Sequence, residues 1–313
     1  MQWADLLLAG DVWALARAIS HVEESSPSAM ELLRAVFPHT GRARIIGLTG
    51  APGSGKSSLV DRLVAAYRAA GHEKVGVVAI DPSSAFSGGA ILGDRVRMLD
   101  HSADPGVFIR SMATRGHLGG LSRATNDAID LLDAAGYDPI LVETVGVGQD
   151  EVEVVKTADA VAVVLVPGMG DDIQAIKAGI LEIADLFVIN KADRSGADRL
   201  EAEIDYMLAL VESEEHPKPS IHRTVATRNE GIPDLRQGIE SFLSARADAG
   251  AEARRRARAD ARLRALLAER VMDRVLREAF EDGAFDGMVE AVAERKIDPY
   301  SVVDEVLRRL EVR

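Results

Sequence analysis

The chain has no cysteine among its 313 residues. That excludes a disulfide framework, a thiolate metal site and a catalytic thiol, and it suits a reducing compartment, here expected to be the cytoplasm. No apolar run approaches the ~18 residues that cross a bilayer, so no transmembrane helix and no membrane role are expected. The opening Met1-Gln2-Trp3-Ala4-Asp5 lacks the basic stretch ahead of an apolar one that marks a secretion signal. Positive charge is also in deficit. With 37 Lys and Arg against 50 Asp and Glu, the formal net charge is −13, which disfavours nucleic acid or an anionic membrane as a partner. A local basic phosphate site remains compatible with that balance. Hydrophobic residues, by contrast, make up 47% of the chain, enough to build a core.

The hydrophobic pattern divides the chain into three parts. Residues 1–40 read as an N-terminal helical segment with two amphipathic helices over 1–37. The string Ser25-Ser26-Pro27-Ser28 breaks the first and caps the second. Residues 41–245 alternate between short Val/Ile-rich runs and helical patterns. The runs fall at 45–48, 75–80, 139–142, 160–166 and 186–189, with further strands expected at 107–109 and 221–226. Continuous apolar strands of this kind are covered on both faces, so the pattern predicts a three-layer α/β domain around a mostly parallel sheet. Residues 246–313 form a C-terminal helical extension. Its long helix is expected over 245–277, a stretch with no proline and no glycine after Gly250, and two shorter helices follow.

The most informative string is Gly50-Ala51-Pro52-Gly53-Ser54-Gly55-Lys56-Ser57, which fits G-x-x-x-x-G-K-[ST] between a predicted strand and a predicted helix. Glycines let the backbone wrap phosphates with its N–H groups turned inward, and the helix N-terminus adds positive partial charge. Lys56 is placed to reach the β and γ phosphates, and the Ser57 hydroxyl to ligate Mg²⁺. The phosphate-binding set is Gly50 through Ser58, with Ser58 on the first turn of the helix. Chance would produce the pattern in about 1% of chains of this length, and the strand–loop–helix context lowers that figure.

Asn190-Lys191-Ala192-Asp193 follows the predicted strand at 186–189 and has the N-K-x-D form. A carboxylate at Asp193 can accept from guanine N1–H and its 2-amino group. Adenine offers neither, so it would leave the charge unpaired. Asn190 would tie the base pocket to the phosphate loop, and Lys191 would cover the base. Val225-Ala226-Thr227 falls at the end of the next predicted strand, where a backbone N–H of Ala226 or Thr227 could meet guanine O6. An ordinary strand end reads the same way. Glu143 and Asp81 end two other strands and are candidate Mg²⁺ carboxylates, with Asp94 a third. Glu143 is favoured because glycines follow it in Glu143-Thr144-Val145-Gly146-Val147-Gly148-Gln149. Gly146 could bring its N–H to the γ-phosphate, which places it with Lys56 and Glu143 in the catalytic set. Arg115, in the glycine-rich stretch 114–120, is a candidate cation near the nucleotide or a partner.

These residues together resemble the MeaB/ArgK family of GTPases, in the SIMIBI class of P-loop proteins. The resemblance rests on Gly47-Leu-Thr-Gly-Ala-Pro-Gly-Ser-Gly-Lys-Ser57, Asp81-Pro-Ser-Ser, Gly93-Asp-Arg-Val-Arg-Met, Arg115-Gly-His-Leu-Gly-Gly and Glu143-Thr-Val-Gly-Val-Gly-Gln. It continues through Val166-Pro-Gly-Met-Gly-Asp-Asp-Ile-Gln-Ala-Ile-Lys and Asn190-Lys-Ala-Asp, with Leu8-Ala-Gly-Asp and Asp298-Pro-Tyr at the two ends. It implies a GTP- and GDP-binding, Mg²⁺-dependent GTPase that acts as a chaperone of a cobalamin-dependent acyl-CoA mutase, chiefly methylmalonyl-CoA mutase. Such a protein protects the mutase and gates its cofactor loading, usually as a homodimer joined through C-terminal helices. The family's switch loops map to 82–94, 144–152 and 167–177, the last carrying Asp171, Gln174 and Lys177 toward the mutase. Asp150 stands where a small residue is common.

Alternatives of other classes are a small-molecule kinase on the same fold, an NTPase associated with amino-acid transport, and a scaffold that binds nucleotide without turning it over. The N-K-x-D motif weighs against the kinase, since metabolite kinases mostly use ATP. With seven scattered His and no Cys, a metal-carrying role has little support.

Overall fold

The computed structural model describes residues 2–82, 101, 103–114, 120–144, 157–168, 184–211, 218–248, 251–279 and 284–311. The chain divides into two compact units, Met1–Ala251 and Glu252–Arg313.

The first unit opens with helices α1 (Gln2–Leu8), α2 (Val12–Glu23) and α3 (Pro27–Val36). Three helices stand where the periodicity predicts two, because Gly10 and Asp11 make a stop and a start side by side. Gly10 adopts φ +81°, a conformation that ends a helix readily. The Asp11 side chain then accepts from the Ala14 N–H at 2.7 Å, which caps the next one. Ser26 caps α3 in the same way through Ala29, with Pro27 in the first turn. Leu15, Ile19 and Val22 of α2 and Leu32 of α3 bury their faces in one core with Ile129 and Leu132. The linker that follows is pinned by one carboxylate. Asp133 accepts from the N–H groups of Gly41, Arg42 and Ala43, the last at 3.0 Å.

The sheet has seven strands: β1 (Ile45–Thr49), β2 (Val75–Pro82), β3 (Val107–Thr114), β4 (Ile140–Glu143), β5 (Ala160–Leu165), β6 (Leu186–Asn190) and β7 (Ser220–Thr224). Their order is β3-β2-β4-β1-β5-β6-β7, and every pairing is parallel. Crossover helices α4 (Lys56–Ala69), α5 (Gly120–Ala134), α6 (Ala197–Val211) and α7 (Ile232–Asp248) cover both faces. Alternation along the strands sorts the core into layers. Ile46, Leu48, Val164 and Val188 pack with Leu59, Leu63 and Ile239 on one face. Val161, Val163, Phe187 and Ile189 pack with Leu200 and Ile204 on the other.

Two strand ends depart from the expected ranges. β3 continues past 109 to Thr114 and pairs with β2 along its whole length, Val75↔Val107 to Pro82↔Thr114. Arg110 and Ser111 hide that extension in the pattern, yet β2 supplies a full ladder of backbone partners. β7 ends at Thr224, and 226–228 wind into a 3₁₀ turn, Ala226–Arg228. The segment expected as one helix over 245–277 falls on α7, which ends at Asp248, and on α8 (Ala251–Ala279), and residues 249 and 250 lie outside the described residues. The second unit holds most of α8, then α9 (Ala284–Ala293) and α10 (Pro299–Glu311).

Candidate functional site

The strand order changes direction at β1. β4 lies on one side of it and β5 on the other, and the crevice above such a switch point is where open α/β sheets hold ligands. The loop 50–55 leaves β1 at this position. Gly50 takes φ +142°, and a Cβ built on it would stand 2.2 Å from the Val164 carbonyl oxygen on β5. A Cβ on Gly55, at φ +91°, would stand 2.5 Å from Asn190 Nδ2. Only glycine permits these two approaches. Gly55 also directly precedes Lys56, the first residue of α4, so the loop leads into a helix N-terminus with its positive partial charge. Lys56 is buried, and its Nζ donates to the carbonyls of Gly50 at 2.7 Å and Ala51 at 3.1 Å. Its ammonium therefore lies across the loop. Ser54 is fully buried beneath it.

Register carries Glu143 to the same place. It is the last residue of β4 and pairs with Leu48 of β1, so it arrives under the loop although 86 residues separate it from Ser57. Ser57 Oγ donates to Glu143 Oε1 at 2.6 Å, and both residues are buried. The next residue, Thr144, bonds Thr49 Oγ1 through its hydroxyl at 3.0 Å and donates its N–H to the Leu48 carbonyl at 3.1 Å. These bonds lock the ends of β1 and β4 together. A buried hydroxyl and a carboxylate in contact form an all-oxygen donor pair, which fits a hard cation such as Mg²⁺. Asp81 lies at the end of β2, two residues beyond Ala79, the partner of Glu143. Its side chain is outside the described residues. So are Asp94, Arg115, Gly146, Asp171, Gln174 and Lys177, and nearly all of 82–94, 144–152 and 167–177.

The base-reading candidates form the other half of the site. Asn190 ends β6 and is buried. Its Nδ2 donates to the Ser54 carbonyl at 2.8 Å. Its Oδ1 accepts from Thr224 Oγ1 and from the Ala226 N–H, both at 3.2 Å. One side chain thus joins the phosphate loop, β6 and the turn after β7. Lys191 has φ +56°, and its Nζ donates to the Gly53 carbonyl at 2.7 Å. Asp193 is partly exposed, and its Oδ2 is 3.7 Å from Nη2 of Arg228. Ala226 and Thr227 lie in the 3₁₀ turn just past β7. Two features have no signal in the motifs: the Thr49–Thr144 bond and the position of Arg228.

A parallel sheet with this loop at its switch point defines a P-loop NTPase. The family model described as "Methylmalonyl Co-A mutase-associated GTPase MeaB" matches residues 15–280, and the chain belongs to that family of GTPases. A protein of Pyrococcus abyssi whose name provisionally assigns it to the GTPases is 48% identical over 304 residues, spanning 96% of this chain and 94% of that one. The GTPase ArgK of Escherichia coli is 44% identical over 59% of this chain and 56% of its own. The mouse protein named "Methylmalonic aciduria type A homolog, mitochondrial" is 42% identical over 63% of this chain and 48% of its own. Among solved structures, one titled as an LAO/AO transport system kinase superposes with TM-score 0.72 at 26% identity, covering 99% of this chain and 97% of that one.

Proposed function

We propose that this GTPase is a switch that binds a cobalamin-dependent acyl-CoA mutase, methylmalonyl-CoA mutase first of all, protects it and gates its cofactor loading. The observation that carries the switch reading is the Asn190 bridge. A side chain bonded at once to Ser54 and Ala226 makes base recognition and phosphate binding one rigid unit. The mutase as target is supported by the family's description.

Within the site, Asp193 accepts from guanine N1–H and the 2-amino group, Lys191 lies over the base, and the N–H of Thr227 meets O6, since that of Ala226 is donated to Asn190 Oδ1. The N–H groups of the loop from Gly50 to Ser58 surround the phosphates, and Lys56 moves its ammonium from the loop carbonyls to the β and γ oxygens. Ser57 and Glu143, with Asp81 and Asp94, would hold Mg²⁺, which neutralises phosphate charge. Gly146 directs its N–H to the γ-phosphate. Phosphoryl transfer then rests on positioning and charge neutralisation. Loss of the γ-phosphate releases the segments that it orders, and Asp171, Gln174 and Lys177 report that change to the mutase. The protein works as a homodimer through its C-terminal helices.

A kinase or transport-associated reading is favoured by one observation, the superposition on the LAO/AO transport system kinase. The carboxylate at Asp193 opposes it, because it selects a base that metabolite kinases seldom use.

The deciding experiment mixes the chain with purified methylmalonyl-CoA mutase. GTP hydrolysis should accelerate, and mutase affinity should differ between GDP and a non-hydrolysable GTP analogue. Lys177→Ala and Gln174→Ala should weaken the acceleration and leave nucleotide affinity nearly unchanged. If the mutase alters neither the hydrolysis rate nor its own cofactor loading, the chaperone reading fails and the GTPase stands alone.

A further inference from the structure

The guanine edge carries its groups in a fixed order: the 2-amino donor, the N1–H donor, then the O6 acceptor. A site that reads all three must present two acceptors and then a donor. The Asp193 carboxylate supplies the acceptors. The charged donor beside it is the Arg228 guanidinium, with Nη2 3.7 Å from Asp193 Oδ2. That separation is too long for a hydrogen bond between them. It suits two parallel hydrogen bonds to adjacent atoms of one base edge. We propose that Arg228 is a second base-reading residue that donates to guanine O6 beside Asp193, a role that rests on the guanine reading of Asp193 given above.

The local structure holds Arg228 ready for this contact. Glu230 grips its guanidinium twice, Oε1 at 3.0 Å from Nε and Oε2 at 3.3 Å from Nη2. The turn that carries it is closed by bonds from the Val225 N–H to the Glu230 carbonyl at 3.0 Å and from the Arg228 N–H to the Val225 carbonyl at 2.9 Å. Asn229 is left-handed at φ +58°. Gly231, at φ +72°, passes so close to Arg223 that a Cβ would stand 2.0 Å from its carbonyl oxygen. The same turn is tied to Asn190 through the Ala226 N–H, so Arg228 and Asp193 belong to one framework. Both side chains are exposed, and exposed ion pairs add little to stability. Stability alone therefore gives weak reason for an arginine gripped in this way. An arginine N–H facing O6 is favourable, as in the recognition of guanine by arginine elsewhere. Adenine would present its amino group at that point, donor against donor. The Arg228 contact thus adds to base choice independently of Asp193.

The test measures the Kd of GDP, ADP and xanthosine diphosphate on the full chain. Arg228→Ala should raise the Kd of GDP about tenfold, shrink the GDP-over-ADP ratio and leave the thermal midpoint unchanged. Arg228→Lys should recover part of the loss. In an Asp193→Asn background, which should prefer xanthosine diphosphate, adding Arg228→Ala should cost a similar factor, since xanthine keeps O6. Equal or tighter GDP binding by Arg228→Ala overturns the proposal. So does a loss that vanishes in the Asp193→Asn background, which would mean that Arg228 acts only through that carboxylate. If Asp193→Asn itself leaves the preference for GDP intact, the guanine reading falls and this role with it.

Discussion

At the scale of single residues, charge placement governs what each group can do. The Lys56 ammonium is buried and held by two loop carbonyls, neutral partners that a phosphate oxygen outcompetes. Lys56→Ala should abolish GTP turnover in a phosphate-release assay. Glu143→Gln keeps the shape of the Ser57 contact but removes the charge. It should slow Mg²⁺-dependent turnover by about two orders of magnitude while GDP affinity, followed by fluorescence, changes far less. Native-rate hydrolysis by Glu143→Gln would remove Glu143 from the metal site. His222 offers a readout unrelated to the nucleotide. Burial lowers its pKa below the usual 6.5, opposed by nearby Asp234, and its ring packs against Gly238. Folding thus favours the neutral form of His222, and as pH falls the unfolded chain takes up the proton first. Stability from this group is present above pH 6.5 and is lost as pH falls below that value toward the lower folded pKa. Between pH 7.5 and 5.5 the thermal midpoint of the native chain should fall further than that of His222→Gln. Parallel curves would contradict this.

At the scale of elements, close backbone approach decides what the loops tolerate. The phosphate loop passes β5 at Gly50 so tightly that a Cβ meets the Val164 carbonyl at 2.2 Å. Gly50→Ala must part β1 from β5 or distort the loop. It should cost about 2 to 3 kcal/mol in denaturant unfolding and weaken GDP binding with it. The N-terminal helices depend on a second junction. Asp133 of α5 satisfies three successive N–H groups of the linker, so Asp133→Ala should destabilise the first unit by about 1 to 3 kcal/mol. Hydrogen exchange should rise first at Gly41, Arg42 and Ala43. Much of this level was legible beforehand, because β1, β5 and β6 are short continuous apolar runs and Pro27 marks a helix start. The extra length of β3 was not, since its pairing with β2 is a fact about another segment. Nor was the division of the first helices at Gly10, where a short amphipathic pattern runs on past the break.

At the scale of the whole molecule, the second unit bears apolar side chains on its surface. Leu263, Leu267 and Val271 of α8 recur every fourth residue and are exposed, as are Tyr300, Val303 and Leu307 of α10. Exposed apolar stripes of this kind support the homodimer proposed above. Sedimentation at micromolar concentration should show a dimer for the full chain. A truncation after residue 250 should sediment as a monomer that still binds GDP. A monomeric full chain would refute the dimer. No helix among the described residues is long and apolar enough to cross a membrane.

The sequence alone determined whatever depends on local backbone chemistry. Glycines at 50, 53 and 55 followed by Lys56 and Ser57 specify a phosphate loop, because the conformation and its donors lie within one short stretch. Continuous Val and Ile runs specify strands buried on both faces for the same reason. Only the tertiary structure decided which distant groups meet. Ser57 reaches Glu143 across 86 residues, and Asn190 reaches Ser54 across 136. Arg228 stands beside Asp193 because β6 and β7 pair in register from Leu186↔Ser220 to Asn190↔Thr224. A parallel strand is returned to the sheet by a crossover whose length does not encode its neighbour. Packing of the covering helices sets the strand order, and the order sets the site.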